Sequence, residues 1–156
     1  MRNDDVILNI RYMLNISNSK IAEIIEMGGY KPKREEIEHL FRETKEEEEK
    51  DDVSDKLMAH FLDGLIYFKR GKSEKHPQPA LTLPVTNNQI LKKLRVAFKL
   101  REEHILKTLK NEGLTVSGSE LNALFRDKSH RNYQPCGDQL LRYFLRGLTK
   151  KMRKLE

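Results

Sequence analysis

NDDVILNIRYMLNISNSKIAEIIEMGGYKPKREEIEHLFR, residues 3–42, lies on NNQILKKLRVAFKLREEHILKTLKNEGLTVSGSELNALFR, residues 87–126, at a constant offset of 84 and without a gap. Asn3 meets Asn87, Arg11 meets Arg95, Ile21 meets Ile105 and Gly29 meets Gly113. One deleted residue later the match resumes at offset 83. There Asp55 meets Asp138, and Phe61-Leu62-Asp63-Gly64-Leu65 meets Phe144-Leu145-Arg146-Gly147-Leu148. The chain is an internal duplication, with a first repeat over 1–70, a linker over 71–86 and a second repeat over 87–156. Units this small bury little surface alone, so two pseudo-symmetric lobes packed on each other are expected.

Each repeat reads as four helices. Val6, Ile7, Ile10, Met13 and Leu14 share one face of the first, echoed by Ile90, Leu91, Leu94, Ala97 and Phe98, with the 3.6-residue period of a helix. Asn3 and Asn87 stand where N-caps belong. Ile21, Ile24 and Ile25, or Ile105, Leu106 and Leu109, mark a second helix that stops at Gly29 or Gly113. Ile37, Leu40 and Phe41, or Leu121, Leu124 and Phe125, mark the third. The fourth has the widest apolar stripe: Leu57, Met58, Phe61, Leu62, Leu65 and Ile66, repeated by Leu140, Leu141, Phe144, Leu145 and Leu148. No stretch alternates as a strand does, so the fold class is all-α. Pro77, Pro79 and Pro84 forbid a continuous helix through the linker.

A single cysteine, Cys136, rules out an intramolecular disulfide framework and fits a reducing compartment. No secretory h-region and no apolar run of membrane-spanning length is visible, so a cytoplasmic protein with no membrane partner is expected. The net charge of +6 is unevenly divided. Residues 1–72 hold 13 Lys and Arg against 16 Asp and Glu (−3), and residues 73–156 hold 17 against 8 (+9).

The run Cys136-Gly137-Asp138-Gln139-Leu140-Leu141-Arg142-Tyr143-Phe144-Leu145-Arg146-Gly147-Leu148 resembles the YehS-like family of small bacterial proteins. Asn87-Asn88 with Leu91-Lys92-Lys93-Leu94-Arg95, and Phe61-Leu62-Asp63-Gly64-Leu65-Ile66-Tyr67, fit it as well. The resemblance spans essentially the whole chain. It implies a bacterial protein built from two copies of one domain of unknown function, and it brings no catalytic residues to carry over.

Residues shared by both repeats point to scaffold. Gly64 and Gly147 sit inside the most apolar helices, where glycine costs about 1 kcal/mol relative to alanine. Close helix approach is the expected reason, for instance between the two fourth helices, the alternative being a ligand against bare backbone. Arg11 and Arg95 are expected to form ion pairs, with Glu36 and Glu120 or Asp55 and Asp138 as partners, the alternative being an arginine that binds an anion. Cys136 and His130 share a polar loop, but spacing gives neither a lowered thiol pKa nor a positioned base. The histidines (His39, His60, His76, His104, His130) form no metal-ligand pattern, and no phosphate-binding fingerprint is present. No catalytic residue, metal or cofactor is assigned.

Charge carries the functional expectation. Lys92, Arg95 and Lys99 fall along the first helix of repeat two, and Arg142, Arg146, Lys150 and Arg153 along the fourth. Repeat one has Leu8, Arg11 and Asn15, then Ala59, Asp63, Tyr67 and Arg70 at those places, so folding does not require the stripes. Non-specific binding to nucleic-acid phosphates suits such a surface. The alternative is a protein partner met in a groove between the repeats or at the acidic run 43–52. A helix-turn-helix is a weak match. The turn Gly28 to Lys33 is too long, and Glu35, Glu36 and Glu38 oppose DNA at the start of helix three. In repeat two Ser117, Ser119 and Asn122 are permissive at that place, no more.

Overall fold

A computed structural model of the chain describes residues 1–45, 48–72 and 81–154. The described residues contain eight helices and no strand: α1 Asn3–Leu14, α2 Asn18–Met27, α3 Arg34–Phe41, α4 Asp55–Arg70, α5 Asn87–Ala97, α6 Glu102–Asn111, α7 Gly118–Phe125 and α8 Asp138–Arg153. They form two compact units, Met1–Val85 and Thr86–Glu156. In the first, α4 packs on α2 and α1; in the second, α8 packs on α6 and α5, and α7 on both. The apolar stripes close each core: Ile7, Ile10, Ile21, Ile24, Leu40, Met58, Phe61 and Leu65 are fully buried in one, and Leu91, Leu94, Ile105, Leu109, Leu121, Leu141, Phe144 and Leu148 in the other. Burying each such side chain contributes roughly 1.5–3 kcal/mol. Pro77 and Pro79 of the linker lie outside the described residues. Its end is tied to unit one, where the Val85 amide donates to Asp55 Oδ2 at 3.0 Å.

Asn3 and Asn87 are the first helical residues of α1 and α5, not their caps, which are Arg2 and Thr86. Each amide instead reaches the start of the last helix of its unit. Asn3 Nδ2 donates to Val53 O (3.2 Å) and Asp55 Oδ1 (2.9 Å); Asn87 Nδ2 donates to Cys136 O (3.0 Å) and Asp138 Oδ1 (2.7 Å). This clasp is the same in both repeats and accounts for Asp55 and Asp138. Cys136 is simply the counterpart of Val53.

Gly64 and Gly147 do mark close helix approaches, but within each unit. A Cβ on Gly64 would stand 1.8 Å from Ile24 O of α2, and one on Gly28 would stand 1.8 Å from His60 O of α4. The α2–α4 crossing is therefore backbone against backbone. In unit two Thr108 and Glu112 replace Ile24 and Gly28, and a Cβ on Gly147 would meet Thr108 Cγ2 at 2.7 Å. Gly29 and Gly113 end α2 and α6 at φ +100° and +91°, a conformation glycine adopts without a Cβ clash.

Candidate functional site

In each unit the start of the first helix is tied along one edge to the segment that follows the third, and in unit two α5 also packs on α7. In unit two this edge is tied by Asn88. Its buried amide donates to Leu124 O (3.0 Å) and Gln134 O (2.9 Å) and accepts from the Cys136 amide (2.8 Å). One turn along α5, Lys92 is exposed, and its charge helps hold the Asp127 carboxyl low, behind the larger effect of two hydrogen bonds from Ser129. A further turn along, Arg95 lies over the Phe125 ring at 4.6 Å, and its Nε donates to Leu100 O at 3.2 Å. Arg11 repeats this arrangement, 5.4 Å over Phe41 with a hydrogen bond to Asn18. The expected ion pairs of Arg11 and Arg95 are thus replaced by stacking on an aromatic ring. Glu36 and Glu120 act elsewhere, closing the N-termini of α3 and α7 by accepting from the amides of Lys33 (2.9 Å) and Ser117 (3.3 Å).

The other basic positions divide. Lys99 does not continue the face of α5: the helix ends at Ala97, and Lys99 sits beyond it at φ +53°, exposed. Arg142 is exposed on α8. Arg146 lies 4.9 Å over Tyr143 and 3.5 Å from Glu112 Oε1, while Lys150 Nζ meets Glu112 Oε2 at 3.0 Å. The Glu112 side chain is only 4% exposed, so these two cations neutralise a buried carboxylate that repeat one lacks. Arg153 is half-buried in the last turn of α8. Spacing on α8 suggested one continuous stripe; the alignment held the contrary signal, since Gly28, Asp63 and Tyr67 change together to Glu112, Arg146 and Lys150.

In unit one the same edge carries charges of both signs, with carboxylates in the majority. Asp4 replaces Asn88, and its carboxylate takes a two-pronged contact from Arg2 (Nε–Oδ1 3.0 Å, Nη2–Oδ2 2.7 Å). Lys50 Nζ lies 3.8 Å from Asp4 Oδ2 and donates to Leu40 O (3.1 Å) and Arg42 O (3.3 Å). Burial works against the Asp4 charge, but the Arg2 hydrogen bond and the Arg2 and Lys50 charges outweigh it and hold the carboxyl below its ordinary range. An open groove of about 980 Å³ runs along this edge, between Arg2, Asp5, Arg11, Arg42, Glu43 and Glu49. Of the acidic run 43–52, Glu46 and Glu47 lie outside the described residues.

Cys136 is buried, and burial followed by the Asp138 charge pushes its thiol up to about 11. His130 Nδ1 accepts from the Asn132 amide at 3.0 Å, and no hydrogen bond joins His130 to Cys136. A protonated thiol without a base at hand is a poor nucleophile. Among the described residues no three His, Cys, Asp or Glu side chains gather as a metal site would require, and no helix is long and apolar enough to cross a membrane.

Comparison with known proteins agrees with the repeat. The model of the protein family of unknown function DUF1456 matches residues 3–71 and again 87–154. The chain is 39% identical over 149 residues to the uncharacterised protein YehS of Escherichia coli (strain K12), covering 96% of this chain and 95% of that protein. No solved structure matches. With the same clasp, the same Arg–Phe stack and the same helix order in both halves, the chain is a member of the DUF1456 family carrying its domain twice.

Proposed function

We propose that the protein is a binding protein whose second unit associates with the phosphate backbone of nucleic acid without reading sequence. One observation carries this reading. Lys92, Lys99 and Arg142 are exposed, none has a carboxylate within ion-pair distance among the described residues, and repeat one has Leu8, Asn15 and Ala59 in their places. Cations not used by the fold are the ones a polyanion can recruit. Base reading has no support in α7, whose first turn is occupied by its own cap: Glu120 N donates to Ser117 Oγ at 3.1 Å, and Ser117 N to Glu120 Oε1.

Fluorescence anisotropy with labelled DNA and RNA duplexes of mixed sequence tests this. The expected result is binding that weakens steeply with salt, with a slope of about −0.9 for each phosphate neutralised. The Lys92→Gln/Lys99→Gln/Arg142→Gln variant should flatten that slope. Absence of binding at low salt would discard the reading. A second reading rests on the mixed-charge groove of unit one, which suits a protein partner presenting basic side chains; capture of such a partner by unit one's acidic edge would survive the triple substitution.

A further inference from the structure

The segment following α7 is built from two hydrogen-bonded turns that carry basic side chains. Asp127 Oδ1 accepts from both the amide and the hydroxyl of Ser129 (2.9 and 2.7 Å), and the His130 amide donates to Asp127 O at 2.8 Å. His130 then organises the next turn, accepting from Asn132 N at its ring (3.0 Å) and from Tyr133 N at its carbonyl (3.0 Å). Gln134 locks the end, its amide donating to Ala123 O (3.1 Å) and its carbonyl accepting from Asn88 (2.9 Å). Two successive turns held by their own side chains leave Arg126, Lys128 and Arg131 exposed, and the charge of exposed Lys92 on α5 reaches Asp127 in the first turn. Repeat one places its acidic run at the corresponding point. The alignment therefore reverses the sign of one surface loop while keeping the scaffold beneath it.

We infer that residues 126–134, together with Lys92, form the phosphate-docking element of the second unit, and that Asp127 is a positioning residue which makes the loop bind by holding it in shape. The inference rests on the nucleic-acid reading above and locates its site away from the Arg146–Lys150 pair. Cations held on a preformed loop lose less conformational freedom on binding than cations on a loose one. Asp127 itself is negative, so its two effects on a polyanion oppose each other: its charge repels and its hydrogen bonds organise.

That opposition supplies the test, again by anisotropy on the whole chain with a labelled DNA duplex and circular dichroism to verify folding. Lys128→Ala/Arg131→Ala should weaken binding by about tenfold and reduce the salt slope by about two. Asp127→Ala, although it adds net positive charge, should weaken binding, whereas Asp127→Asn, which keeps the acceptor oxygen and removes the charge, should bind at least as tightly as the natural protein. Arg146→Gln/Lys150→Gln should leave the affinity nearly unchanged. Tighter binding by Asp127→Ala would overturn the positioning role. Loss of binding in the Arg146/Lys150 variant with retention in the Lys128/Arg131 variant would move the site to α8 while sparing the functional reading. No binding by the natural protein would remove both.

Discussion

At position 88 one neutral amide satisfies a carbonyl that, in the other repeat, is met by a lysine paired with an aspartate. Asn88 donates to Leu124 O; Lys50 donates to the equivalent Leu40 O and leans on Asp4. Asn88→Asp would aim a buried carboxylate at two carbonyl oxygens and should cost about 3 kcal/mol near neutral pH. Its folded pKa would be raised, so the loss should shrink as pH falls through that value and the acid regains an O–H donor. Asp4→Asn should cost a similar amount by leaving Lys50 uncompensated. Natural Asp4 has a lowered folded pKa, so its contribution is present above the unfolded value and disappears as pH falls through the folded one. Urea titrations across pH check both. Cys136 carries the reverse sign. With its thiol raised to about 11, stability should be full below the unfolded thiol pKa and fall as pH climbs towards that figure, a decline that Cys136→Ala should flatten. Alkylation in native buffer should be slow and become fast only in denaturant.

The helix crossings show what an alignment can and cannot convey. Stripes such as Leu57-Phe61-Leu65 announce the core face because a helix repeats every 3.6 residues. The glycines in the same helices announce a close approach, yet nothing in local spacing identifies the helix that approaches. In the folded protein it is α2 that meets Gly64 and α6 that meets Gly147. Their surroundings rank two substitutions. Gly64→Ala confronts a backbone carbonyl oxygen at 1.8 Å and should cost about 3 kcal/mol or more; Gly147→Ala confronts the Thr108 methyl at 2.7 Å and the Thr108 carbonyl oxygen at 3.0 Å, a milder overlap, and should cost about 1–2 kcal/mol. Thermal unfolding of the two variants measures the order, and equal losses would contradict this account of the crossings. The candidate site was legible in part for the same reason. Lys92 and Arg142 stood out as charges on amphipathic helices, but Arg126, Lys128 and Arg131 sit in a loop with no period to display them. Their one trace was the change of sign opposite Glu43–Asp52.

At the scale of the molecule, duplication shows where selection left the repeats alone and where it did not. The clasp, the Arg–Phe stack and the glycine-terminated second helix are common to both; the surfaces and the crossings diverged. The clasp alone cannot tell α4 from α8, because Asn3 and Asn87 would each accept Asp55 or Asp138. A nascent or refolding chain could therefore trade last helices between repeats, or between two molecules. The charges at the crossings oppose it. On α2, α8 would bring Arg146 to Gly28 with no Glu112 to receive it. On α6, α4 would bring buried Asp63 towards Glu112, carboxylate against carboxylate. Three replaced residues thus match each final helix to the second helix of its own half, so that the two copies, alike in backbone, differ in charge where those helices cross.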